Sequence, residues 1–159
     1  MEYEGYKTKQ EILELIEANF PFIEKPPEAE LYIFDENDLM RRIIDKNIAM
    51  YTSPELPYEG IMTLYDEFST ISRKTVEWLF PSMLRVILKG QDNSGNLHWY
   101  LPTYFENMNL NSKASAYDFY WLNKEQIKSL NCMLEFLSEE YGDDVGLAQN
   151  NLDVLYQKI

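Results

Sequence analysis

The stretch VEWLFPSMLRVI, residues 76–87, decides the fold. Val76, Leu79, Phe80, Met83, Leu84 and Ile87 recur at the three- and four-residue intervals that place side chains on one face of an α-helix, and the phase runs straight through Pro81. A proline inside a helix removes a backbone N–H and crowds the preceding turn, whereas in a first turn that N–H has no partner to lose. Either one kinked helix crosses Pro81 or a new helix begins there. Proline is commoner in the second setting, which is the expectation. The wording also recurs downstream. WLFPSML (78–84) and WYLPTYF (99–105) each read Trp, two apolar or aromatic residues, Pro, a hydroxyl residue and two more apolar residues, with Trp78 and Trp99 standing 21 positions apart.

Outward from these two phrases the helical signals continue. Thr8 and Glu11 form a capping box ahead of a stripe of Ile12, Leu15, Ile16 and Phe20 that Pro21 ends. PFIEKPPEAE (21–30) is an extended connector. Asp35 and Asp38 precede a second stripe of Leu39, Ile43, Ile44 and Ile48, and Ile61, Leu64, Tyr65 and Phe68 mark a short third helix. STIS (69–72) supplies N-cap candidates for the central element. KGQDNSGN (89–96) is a turn-rich loop with Gly90 suited to a position just past a helix end, and MNLNSKASAYD (108–118) is a polar loop. Asn123 and Gln126 open a long stripe of Ile127, Leu130, Leu134, Leu137 and Tyr141 that Gly142 closes, and a last helix is expected over 147–159. The prediction is a mainly α, single compact domain of five to seven helices. A β-hairpin pairing RVILK with LHWYL is the minority alternative for 85–101.

Composition bounds the function. The chain has 159 residues, is 45% hydrophobic and 14% aromatic, and carries a formal charge of −13, with a sequence pI near 4.4. Its length suits one domain, and its aromatic content is that of a folded chain. Affinity for nucleic acid and for anionic lipid is built from Lys and Arg, so this charge balance argues against both as partners and leaves a basic protein open. The densest cationic group, Arg73, Lys74, Arg85 and Lys89, is thin. A lone Cys132 makes no internal disulfide, and no signal peptide or apolar run long enough to span a bilayer is visible, so the expected location is the cytoplasm.

Most reaction chemistries lack their residues. His98 is the sole histidine and no Gly-x-Ser-x-Gly elbow is present, so a Ser–His–Asp triad has no serine presented to it. Zinc needs more His and Cys than one of each. DNSGNLHWYLPT (92–103) begins like a calcium loop but has Thr103 where the bidentate glutamate belongs. No phosphate-cradling glycine loop occurs. No cofactor, no metal and no catalytic residue are expected, and the chain is expected not to be an enzyme.

Two groups of residues remain as binding candidates. Glu135, Glu139, Glu140, Asp143 and Asp144 crowd a stretch, 129–157, that contains no Lys or Arg. Their ordinary role is a solvated helix face; the functional alternative is an acidic docking surface for a basic protein, with carboxylate catalysis further behind. Trp78, Trp99, Tyr100 and Tyr104 belong to the repeated phrase. As scaffold, they fix where two apolar helices enter the core; as a pocket, they stack a flat ligand or sugar, helped by the rings crowding 99–121. Scaffold is favoured. A non-enzymatic acidic interaction protein of the immunity or adaptor kind is the leading functional expectation. Small-ligand binding or hydrolysis in an aromatic pocket is the alternative, and homo-oligomerisation through leftover aromatic surface is a third course.

HWYLPTYF (98–105) followed by FYWLNKEQIKSLNCMLEFL (119–137) resembles a family of small uncharacterised bacterial proteins, a domain of unknown function. That family carries an aromatic-Tyr-Leu-Pro-x-Tyr/Phe element and then a Leu-Thr-x-x-Gln helix ending in Phe-Leu. The matching positions are Tyr100, Leu101, Pro102 and Tyr104, then Leu122, Gln126, Phe136 and Leu137, with Trp78 and Pro81 as an upstream tryptophan element. Asn123 replaces the usual hydroxyl residue and caps a helix equally well. The resemblance covers about residues 76–140. It implies a bacterial source and a helical fold, and no activity.

Overall fold

A computed structural model describes residues 1, 2, 4–110 and 116–159; residues 111–115 of the polar loop expected over 108–118 lie outside the described residues. The architecture is all-helical: α1 (Lys9–Asn19), a 3-10 turn (Glu28–Glu30), α2 (Leu39–Ile48), α3 (Tyr58–Leu64), α4 (Arg73–Leu88), α5 (Asn96–Glu106), α6 (Lys124–Tyr141) and α7 (Gly146–Lys158). No strand occurs among the described residues, and one isolated antiparallel bridge joins Tyr32 to Ile71. The hairpin considered for 85–101 is therefore absent: Arg85 ends inside α4, and Leu97 and Leu101 lie inside α5.

Caps written in the sequence set several helix starts. Thr8 accepts from the Glu11 amide while the Glu11 carboxylate accepts from that of Thr8, and Asn123 and Gln126 reciprocate in the same way at α6. Asp38 and Ser72 cap α2 and α4. Gly142 closes α6 in the left-handed region, at φ 76°, where a residue with a Cβ is disfavoured.

Pro81 corrects the expectation of a new helix. It is the ninth residue of one continuous helix, α4, and Pro102 likewise lies inside α5. Packing explains this. Val76, Leu79, Phe80, Met83, Leu84 and Ile87 are all at most 2% exposed. Burying six such side chains contributes roughly 1.5–3 kcal/mol each, against about 3 kcal/mol for an interior proline. The buried Arg85 guanidinium reinforces the turn by donating to the carbonyls of Pro81 (2.7 Å) and Phe20 (2.9 Å).

α1, α6, α7, α5 and α4 form a closed circuit of packed neighbours, with α3 seated on α4 and α2 on α3. Phe80 lies at the heart of the circuit, with the rings of Tyr104, Phe105, Phe119 and Trp121 around it at 5.7–6.2 Å. Side chains tie the helix ends: Asn19 donates to the Ser129 hydroxyl, Gln126 to the Asn19 carbonyl, and Asn151 to the Phe105 carbonyl at the end of α5.

Gly60 of α3 meets the segment between α2 and α3 closely enough to require a glycine. A Cβ on Gly60 would stand 2.7 Å from Leu56 Cδ2 and 3.1 Å from Tyr51 Cδ2, and the Leu56 backbone is held by its N–H donating to Ser82 Oγ (2.9 Å). Gly60→Ala gains about 1 kcal/mol of helix propensity and loses about 1–3 kcal/mol to overpacking. A net destabilisation near 1 kcal/mol is expected in urea unfolding; a more stable variant would contradict the tight contact.

Candidate functional site

The inward stripe of α5 fixes what its other side presents. Leu97, Leu101, Tyr104 and Phe105 are buried, so Trp99, Thr103 and Glu106, at i, i+4 and i+7, share the outward face. The start of α5 is held by Asp92, whose Oδ2 accepts from the Leu97 amide (2.8 Å) and whose Oδ1 accepts from the Ser94 hydroxyl (2.8 Å). The carboxylate that opens the calcium-like stretch thus serves as a helix cap, with its negative charge at the N-terminus.

The facing wall comes from the turn between α6 and α7. Gly142 redirects the chain so that Asp143 and Asp144 come up against α5. Trp99, Pro102, Thr103, Glu106, Asp143 and Asp144 line an open recess of about 210 Å³. Trp99 is 62% exposed. His98 Nδ1 lies 2.9 Å from Asp143 Oδ2, and the imidazole stacks on Tyr141 with centroids 4.0 Å apart. Asp143 is therefore a largely covered side chain, 9% exposed, while Asp144 is exposed and Glu106 is half-buried at the recess wall. Burial first, then Glu140, Asp92 and Asp143, push the Tyr141 phenol above its ordinary pKa. This phenol stays neutral and adds no charge.

The residues singled out from sequence are redistributed. Trp78 is fully buried, its Nε1 donating to the Ser53 carbonyl (3.2 Å) and its ring under the Lys25 ammonium at 5.4 Å. Tyr104 is buried and stacked on Phe68 at 4.0 Å, its hydroxyl donating to the Tyr65 carbonyl. Tyr100 is half-buried between Tyr65 and Tyr104. The four rings do not line one pocket: Trp78, Tyr100 and Tyr104 are joinery and Trp99 stands outside. The acidic group divides too. Asp143 and Asp144 join Trp99, whereas Glu135 faces a different recess beside Asn131, Gln149 and Asp153, and Glu139 and Glu140 are exposed near the end of α6.

Sequence reasoning missed Glu106 and the His98–Asp143 pair. Glu106 was legible as the i+7 partner of Trp99. The pair was not, because its two members meet only through the packing of α5 against the turn after α6. No serine, threonine or cysteine is bonded to His98 among the described residues, and Cys132 is buried elsewhere, with burial pushing its thiol up. Among the described residues no group of three His, Cys, Asp or Glu side chains is placed to hold a metal, and no helix is long and apolar enough to cross a membrane. All four members of the thin cationic group are engaged within the molecule: Arg73 by Glu77 and Asp118, Lys74 by Glu30, Arg85 by backbone carbonyls, and Lys89 by Glu17. Comparison with protein-family models, curated proteins and solved structures finds no match in any of the three, so the functional conclusion stands on the recess itself.

Proposed function

We propose that the chain is a non-enzymatic, acidic protein-interaction domain of the immunity or adaptor kind, whose recess at Trp99 receives a Lys or Arg side chain of a cationic protein. The observation that carries this is one open indole flanked by the exposed carboxylate of Asp144 and the half-buried one of Glu106. An indole face attracts a cation through its quadrupole, by about 0.5–2 kcal/mol according to how far the contact is desolvated. Carboxylates beside it fix the cation's approach. The overall charge of −13 steers a basic partner toward the surface before contact.

Titration with an arginine-rich peptide, followed by isothermal titration calorimetry, tests the site. Trp99→Ala and the pair Glu106→Gln/Asp144→Asn are each expected to weaken binding roughly tenfold, a loss of about 1.4 kcal/mol. Glu24→Gln/Glu36→Gln, an equal change of charge at exposed positions elsewhere, is expected to weaken it far less. Equal losses from the two double variants would mean that the peptide reads net charge alone, and the recess would lose its role.

A further inference from the structure

We infer that the recess of one copy is occupied by the outer face of α2 from a second copy, so that the chain self-associates head to tail. The inference rests on the Trp99 recess accepting cations and takes the cation from a local basic face of a second copy in place of a cationic protein.

Of the stripe that marks α2, Leu39, Ile43, Ile44 and Ile48, the structure buries only half. Ile44 and Ile48 face the fold, whereas Leu39 and Ile43 are 61% and 46% exposed, with Met40 at 42% and Met50, just past the helix, at 70%. The position of α2 explains the difference: it packs on α3, outside the five-helix circuit, and its far side is exposed. At 100° per residue, Arg42 and Lys46 fall beside Leu39 and Ile43 on that outer half. Both are exposed, and neither belongs to an ion pair among the described residues. The nearby carboxylates are turned away: Asp45 accepts from the Tyr32 hydroxyl (2.9 Å), and Asp38 from the Arg41 amide (2.9 Å). The outer face of the helix is thus apolar and cationic, with the exposed Asp35 and Glu36 confined to the connector before it.

The opposite combination lies on α5 and the ends of α6 and α7. Trp99 and Asp144 are exposed at the recess with Glu106 half-buried beside them, and Tyr141, Glu140 and Leu147 are exposed at the neighbouring helix ends. Apolar residues edged by cations on one surface meet apolar residues edged by carboxylates on the other. Charges so arranged set orientation and register, while the apolar centres supply contact area. Because the two surfaces are different, the contact is heterologous: one copy keeps its α2 face free and the other its recess, so the chain of copies can continue. The net charge of −13 opposes the approach of two copies, but its reach shrinks to about 8 Å at physiological ionic strength, where association is to be measured.

Two double variants give the test, read by sedimentation velocity over a concentration series. Ile43→Asp/Lys46→Glu removes the α2 surface, and Trp99→Ala/Asp144→Lys removes the recess; all four positions are exposed, and circular dichroism checks that the helices persist. The wild-type chain is expected to grow in size with concentration, and each variant to stay monomeric. Their equimolar mixture is expected to form a dimer and nothing larger, since each variant lends the surface the other lacks. A wild-type chain monomeric throughout, or a mixture that never dimerises, overturns the inference. If the arginine-rich peptide still binds at Trp99 in that case, only the second copy is excluded as its partner; if the peptide also fails to bind, the recess falls with it.

Discussion

Trp78→Ala is expected to destabilise the chain by about 3–5 kcal/mol, the range for deleting a fully buried large aromatic side chain, whereas Trp99→Ala is expected to change stability by less than about 0.5 kcal/mol. The two tryptophans open the same seven-residue phrase, yet one is fully buried and the other is 62% exposed. At Trp78 the loss has three sources: the cavity, the unpaired Ser53 carbonyl, and the Lys25 ammonium left without its ring. For a domain of this length the melting temperature should fall by roughly 6–20 °C, at about 2–4 °C for each kcal/mol. Trp78→Phe keeps much of the packed volume and should lose less. Thermal unfolding of the three variants decides the matter, and similar melting temperatures for Trp78→Ala and Trp99→Ala would dissolve the division between joinery and surface. Peptide binding should move the other way, weakened roughly tenfold by Trp99→Ala and retained in Trp78→Phe.

The contrast between the two phrases shows where sequence patterning stops. Helix periodicity placed Val76, Leu79, Phe80, Met83, Leu84 and Ile87 on one face, and that face is the core. The capping boxes at Thr8 and Asn123 and the stop at Gly142 were legible because they are local: each needs only a side chain and the backbone within three or four residues. Pro81 was misplaced because local cost was weighed without the packing that outweighs it. Leu39 and Ile43 were read into one helical stripe with Ile44 and Ile48, and a stripe records that a face is apolar and not whether another element arrives to cover it. The same limit hid the site. Trp99 and Asp143 had both been picked out, for different reasons and as members of different groups. Their meeting depends on α7 folding back against α5, and no spacing in the chain encodes that distance.

Asp118 is the buried charge that sequence gave no reason to single out, and Arg73→Ala should reveal it. Asp118 has no solvent exposure; its Oδ1 accepts from the Tyr120 amide (2.9 Å), and Arg73 Nη1 approaches its Oδ2 at 3.4 Å. Removing one partner of a buried pair costs about 3–5 kcal/mol because the other charge is left uncompensated. Here Arg73 is 45% exposed and the Tyr120 amide remains, so about 2–3 kcal/mol is expected for Arg73→Ala. Asp118→Asn acts in opposite directions in the two backgrounds. With Arg73 present it sets an amide donor against a guanidinium and should destabilise by about 1–2 kcal/mol; with Arg73→Ala it removes the stranded charge and should restore part of what was lost. A double-mutant cycle in urea reads this change of sign directly. If Asp118→Asn destabilises both backgrounds equally, Arg73 is not what makes the buried carboxylate tolerable, and the hydrogen bond from Tyr120 carries it alone.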